Sequence, residues 1–162
     1  MEKDKNIQTK AMLLLRWWDK LDYTNNWKNI LTALKSKIRA EMKCPVYSDW
    51  EQQIKANQFI KIVPTGSTQV DKATHMEVRE FNMECQYFFI KRADNKFQDY
   101  VLNQVSILEA LVHDNITLTL ADSTKAVNVT LGTLDFNVEV EDYDDYMVAQ
   151  WDLTCTHFGN TA

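Results

Sequence analysis

Glu80-Phe81-Asn82-Met83-Glu84-Cys85-Gln86-Tyr87-Phe88-Phe89 alternates polar and apolar side chains, with Phe81, Met83, Cys85, Tyr87 and Phe89 on one parity and Glu80, Asn82, Glu84 and Gln86 on the other. Successive side chains of a strand point to opposite sides of its sheet, so a period of two predicts a strand buried on one face. The period returns as Leu134, Phe136, Val138 and Val140 against Thr133, Asp135, Asn137, Glu139 and Glu141. Two long antiparallel strands are therefore predicted, with an amphipathic helix between them. That helix runs from about Phe97 to His113. Val101, Val105, Leu108 and Val112 form its stripe, and Leu102, Ile107 and Leu111 broaden it enough to predict cover on more than one side.

Upstream, Trp27, Ile30, Leu31, Leu34 and Ile38 recur at helical spacing, predicting a first helix that Asn25 or Asn26 caps and Pro45 ends. The fold class this predicts is α+β: a mainly antiparallel sheet with two amphipathic helices packed on one face. Val46, Tyr47 and Trp50 fit a short edge strand or loop, and Phe59, Ile60, Ile62 and Val63 a strand that Pro64-Thr65-Gly66-Ser67 breaks. Residues 65–74 are polar and read as a hairpin loop. Met76 and Val78 share the parity opposite to Phe81, which a β-bulge near Arg79 or Glu80 would reconcile. Ile116, Leu118 and Leu120 begin a further strand. Beyond Val127, Val129 and Leu131 the parity switches at Gly132, which predicts a bulge or bend there. Asp142-Tyr143-Asp144-Asp145 makes the last turn before a strand carrying Ala149, Trp151, Leu153 and Cys155, with a frayed tail from Gly159.

A chain of 162 residues is long enough for one domain with a real core. Residues 1–24 read as an N-terminal arm or short helix holding Trp17 and Trp18, and residues 25–162 as the single domain. Three glycines and two prolines leave few tight turns, so long elements are expected. The net charge of -5 opposes tight binding to a phosphate backbone. No stretch approaches the roughly 18 apolar residues of a membrane span and no signal-like run follows Met1, predicting a soluble protein made and used in a cytoplasm.

The chemistry-bearing residues form no constellation. Cys44, Cys85 and Cys155 are far apart and match no metal spacing, so Cys85 and Cys155 read as small apolar core groups. His75, His113 and His157 are scattered, no GxSxG elbow is present, and Pro64-Thr65-Gly66-Ser67 lacks the length and lysine of a phosphate loop. Glu139, Glu141, Asp142, Asp144 and Asp145 are the best candidates for metal or acid/base work, but without the glycine of a calcium loop they read as a solvated turn. No catalytic residue, metal or cofactor is expected, and the chain is not expected to be an enzyme.

The order of helix, strand, long strand, helix and C-terminal strands resembles the tail-terminator (tail-completion) proteins of tailed bacteriophages. The resemblance is carried by Trp27 to Met42, Cys44-Pro45-Val46-Tyr47-Ser48-Asp49-Trp50, Phe59-Ile60-Lys61-Ile62-Val63-Pro64, Val78 to Cys85, Tyr100 to His113, and Trp151-Asp152-Leu153-Thr154-Cys155. It implies a virion protein of the tail or neck, assembled in the host bacterial cytoplasm, whose hexameric ring caps the tail tube, stops its polymerisation and joins the tail to the head connector. The partners implied are further copies of the chain, the tail tube protein and a head-connector or neck protein, with the sheath a further candidate. DNA would pass through the lumen without specific binding, and no membrane is involved. The alternatives are a neck or head-completion protein of the same particle, or a small metal-dependent hydrolase using the acidic turn. Exposure makes Trp17 and Trp18 in the arm, Gln69 and Asp71 in the loop, and Asp142 and Asp144 at the turn the expected partner contacts.

Overall fold

A computed structural model describes residues 26–48 and 56–160, so Trp17, Trp18, the rest of the arm and Trp50 lie outside the described residues. Helix α1 (Asn26–Met42) leads through Pro45 into the short strand β1 (Val46–Ser48). A long hairpin follows, β2 (Gln58–Ala73) and β3 (Met76–Ile90). Helix α2 (Phe97–Asp114), β4 (Leu118–Thr119), β5 (Lys125–Asp135) and β6 (Tyr146–Asn160) complete the order. The strands form one sheet in the order β1-β2-β3-β6-β5-β4, antiparallel except where β1 runs parallel to β2. The fold is α+β with a mainly antiparallel sheet.

The alternation through β3 decides which face is the core. Phe81, Met83, Cys85, Tyr87 and Phe89 join Ala149, Trp151, Leu153 and Cys155 of β6 and Ile60 and Ile62 of β2, under Ile30, Leu34 and Ile38 of α1 and Val101, Val105 and Leu108 of α2. Both helices therefore lie on one face. The Trp151 indole, fully buried, donates to Glu109 Oε1 of α2 at 2.9 Å, so its N–H is satisfied. Gln58 of β2 donates to the Tyr87 hydroxyl and accepts from that of Tyr100, and Gln104 of α2 completes the network at 3.2 Å from Tyr87. All three cysteines are buried and free. Burial pushes the Cys44 thiol up to about 11 and those of Cys85 and Cys155 up to about 12, in keeping with thiols that serve as core groups.

Several expectations need correction. Residues 65–74 are not a loop: β2 runs on to Ala73, and the turn is confined to Thr74 and His75, so Gln69 and Asp71 stand in a strand, opposite Arg79 and Val78. Pro64 does not break β2, because β1 reaches only as far as Ile62. Beyond it β2 is an edge strand that bulges at once, the settings in which a sheet tolerates proline. The bulges lie on β2, between Pro64 and Gly66 and between Gln69 and Asp71, whereas β3 pairs with β6 without a shift from Met76 to Ile90. No bulge at Arg79 or Glu80 is needed, since Met76 and Val78 simply face the other side.

Gly159 and Asn160 are not frayed, being paired with Glu77 and Met76. The pattern from Phe136 to Val140 forms no ladder: β5 ends at Asp135, after register shifts on either side of Leu131. The shift between Leu131 and Leu134 brackets Gly132, as its parity switch predicts. Leu102 and Ile107 stay 45% and 43% exposed, so among the described residues α2 is covered on one side only.

Candidate interaction surfaces

The polar parity of β3 and β6 makes an open sheet face. Glu80, Asn82 and Glu84 stand opposite Thr156, Thr154 and Asp152, and Asp135 pairs beside Gln150 on the same face. Glu84 and Asp152 are directly opposed carboxylates, a pairing that weakens a sheet where nothing compensates. Toward the hairpin end this face turns apolar, with Val78 opposite Phe158, which is 46% exposed, and Met76, which is 40% exposed.

The hairpin is stiffened from its helix-facing side. Arg79 donates to Glu77 Oε1 from Nε at 3.0 Å and from Nη2 at 2.6 Å, and to Ser67 Oγ at 3.2 Å, tying β3 to β2. Asp71 Oδ1 accepts from the Lys72 N–H at 2.7 Å. Pro64, two bulges and Lys72 together blunt the edge of β2 against strand addition.

At the opposite end of the sheet the second face is covered. Phe59, Phe88 and Val148 form a small core there, and Val138, Val140, Tyr143 and Tyr146 pack onto it. Phe59 and Phe88 stack at 4.5 Å, and Tyr143 lies 4.8 Å from Phe88. Consecutive turns, Tyr143 N–H to Val140 O at 3.1 Å and Tyr146 N–H to Tyr143 O at 2.9 Å, push Tyr143 inward and leave Asp142 and Asp144 exposed. Lys91 fixes the loop by donating to Asp144 O at 2.7 Å from Nζ and to Asp145 O at 2.9 Å from its N–H. Asp142 sits at φ 67, a left-handed conformation that aspartate tolerates better than most residues.

The expected contact residues thus fall in two places. Gln69 and Asp71 share the hairpin, on its helix-facing and open sides respectively, and Asp142 and Asp144 share the turn at the far end. Trp17 and Trp18 lie outside the described residues. Among the described residues, no group of three or more His, Cys, Asp or Glu could hold a metal ion.

Two surfaces escaped the sequence reading. The open acidic face was foreshadowed by the polar parity of β3, but its partners on β6 and β5 depend on register. An apolar hollow of about 490 Å³ beside the start of α2, lined by Phe97, Gln98, Val101, Leu102, Phe136 and Met147, joins segments far apart in sequence.

A buried feature was missed as well. His157, only 2% exposed, has Nε2 2.8 Å from Thr124 Oγ1, whose hydroxyl donates to Asp122 Oδ1 at 2.6 Å. The Nε2–H of a neutral imidazole is then the donor to Thr124, which straps the β4–β5 turn to β6. Burial lowers the His157 pKa, opposed by Asp122. The Thr124 hydroxyl holds the Asp122 carboxyl below the usual carboxylate range.

Solved structures contain this arrangement of helices and sheet. A chain from the virion of the native gene transfer agent particle matches 86% of this chain and 100% of its own length, at 12% identity and a TM-score of 0.55. The PVC sheath/tube terminator of an extracellular contractile injection system, in its extended state, matches 86% of this chain at 10% identity and a TM-score of 0.54. The fold is similar to that of a sheath/tube terminator. This chain spans 58% of that terminator's length. At such identities the likeness is one of fold. No protein-family model and no curated protein matches the sequence.

Proposed function

We propose that this chain is a structural virion protein: a tail terminator whose closed ring caps the tail tube, stops its polymerisation and joins the tail to the head connector. The observation that carries the reading is the fold shared across most of this chain with a sheath/tube terminator and with a chain of a gene transfer agent virion. The open sheet face supports it. Glu80, Glu84, Asp135 and Asp152 give that face an acidic character suited to a passage through which DNA slides without being held.

The mechanism is geometric. One end of the ring matches the tube, and the other presents the head connector with a surface on which no further tube subunit can add. The two ends of the sheet, the hairpin with Gln69 and Asp71 and the turn with Asp142 and Asp144, are the natural contacts for these different neighbours. No turnover is involved. Particles assembled without the chain should carry tubes of unregulated length that fail to join heads, as seen by electron microscopy, and normal tails in its absence would overturn the reading. Asp142→Asn, Asp144→Asn and Asp145→Asn together should leave folding and divalent-metal binding unchanged, since a solvated turn is indifferent to the exchange.

A further inference from the structure

The hollow beside α2 is lined mainly by apolar side chains. Leu102, 45% exposed, forms one wall, and Phe136 and Met147 form the other before continuing into a second hollow that contains Lys91, Glu139 and Asp144. At about 490 Å³ the hollow lies in the size range of pockets that bury ligands, with room for an aromatic anchor. Arg92 lies 5.5 Å over the ring of Phe97, so the charge around the hollow is mixed and its apolar lining is what it offers a partner.

The sequence contains a segment of matching chemistry. Residues 12–18 hold Met12 to Leu15 and the adjacent Trp17 and Trp18, apolar and aromatic side chains that suit an apolar lining. Geometry decides which copy could supply it. The chain enters α1 at the other end of the sheet, where Trp27 meets Phe81 edge-on at 4.8 Å. Phe81 and Phe89, the latter opposite Met147, are eight residues apart on β3, about 27 Å at strand rise. The nine steps from Trp18 to Trp27 span at most about 32 Å when fully extended. The hollow also lies on the Leu102 flank of α2, whereas Gln104 on the opposite flank reaches Gln58 of β2 at 3.3 Å. An arm from the same chain would have to run straight and also cross a helix about 10 Å thick. A neighbouring copy faces no such limit.

We propose that the Trp17–Trp18 pair of a neighbouring copy seats in the hollow formed by Phe97, Val101, Leu102, Phe136 and Met147, so that each subunit clasps the next. The clasp rests on the ring reading in that a second copy must be at hand, and it names the contact that links one subunit to the next.

Cross-linking with a short bis-maleimide on the purified full-length chain tests it. The three native cysteines are at most 7% exposed and do not compete. Asp19→Cys and Gln98→Cys place one thiol beside the tryptophans and one at the rim while leaving the Trp17–Trp18 pair and the apolar walls intact. Mixed chains carrying one change each should link into heterodimers, and adding Trp17→Ala and Trp18→Ala should slow that link about tenfold, as truncating an interface anchor does. Linkage only when both changes sit in one chain would overturn the clasp, as would no linkage at all. Light scattering on the same samples separates the two readings: closed rings without the link sink the clasp alone, and the link in an open or dimeric assembly sinks the ring alone.

Discussion

The two faces of β3 and β6 are built from the same strands, residue by residue, and differ in almost everything else. On one, Phe81 to Phe89 and Ala149 to Cys155 lie under both helices, and on the other Glu80, Asn82 and Glu84 face Thr156, Thr154 and Asp152 with no helix above them among the described residues. One face supplies stability, and the other is polar. The division also changes along the strands, because at the Phe88 end the open face is closed by Val138, Val140 and Tyr143.

The sharpest way to break this contrast is to mutate neighbours on β6. Leu153→Ala, in the core, should cost about 2–5 kcal/mol in chemical denaturation, whereas Thr154→Ala on the open face should stay within about 0.5 kcal/mol. Comparable losses at both sites would mean that the open face is also a core. Tyr143→Ala should fall between them, at about 1–3 kcal/mol, because its half-buried ring covers Phe59 and Phe88. Limited proteolysis of that variant should cut first between residues 136 and 145.

His157 tests the far end of the helix-covered face. Its folded pKa lies below 6.5, so the unfolded chain binds the proton more readily. Stability is then full above about pH 6.5 and declines as the pH falls from there toward the folded value. Burial drives the shift and Asp122 opposes it, while Arg79 is the cross-strand partner of His157. His157→Gln should flatten the melting-temperature profile in that window relative to the native chain, and parallel profiles would remove the imidazole from the account. The smallest effect is expected on the open face. Asp152→Asn, which relieves the opposition to Glu84, should raise stability by about 0.2–1 kcal/mol and by less at high salt.

Much of this fold was legible because helix and strand periods are local. Trp27 to Ile38 and Val101 to Val112 spaced their apolar residues for one buried stripe each, and Phe81 to Phe89 did so for a half-buried strand. Failures came where a neighbour decides. Residues 65–74 looked like a loop because strands exposed on an edge carry polar residues, and only pairing with β3 shows them as strand. Phe136 to Val140 alternates correctly yet makes no ladder, since a period of two reports facing and not hydrogen bonding. Asp142 and Asp144 lie exposed in the turn their chemistry predicted, and Gln69 and Asp71 are exposed as expected but stand in a strand rather than a loop. The hollow beside α2 could not be read, because Met147 and Phe136 meet Leu102 only through the order of the sheet.

The most direct test of the central claim is to add the purified chain to tail tube protein as it polymerises, and to measure tube length by electron microscopy. The account predicts that growth stops once one ring occupies each tube end, with no change in subunit chemistry. Tubes that elongate at an unaltered rate, with the protein absent from their tips, would contradict it.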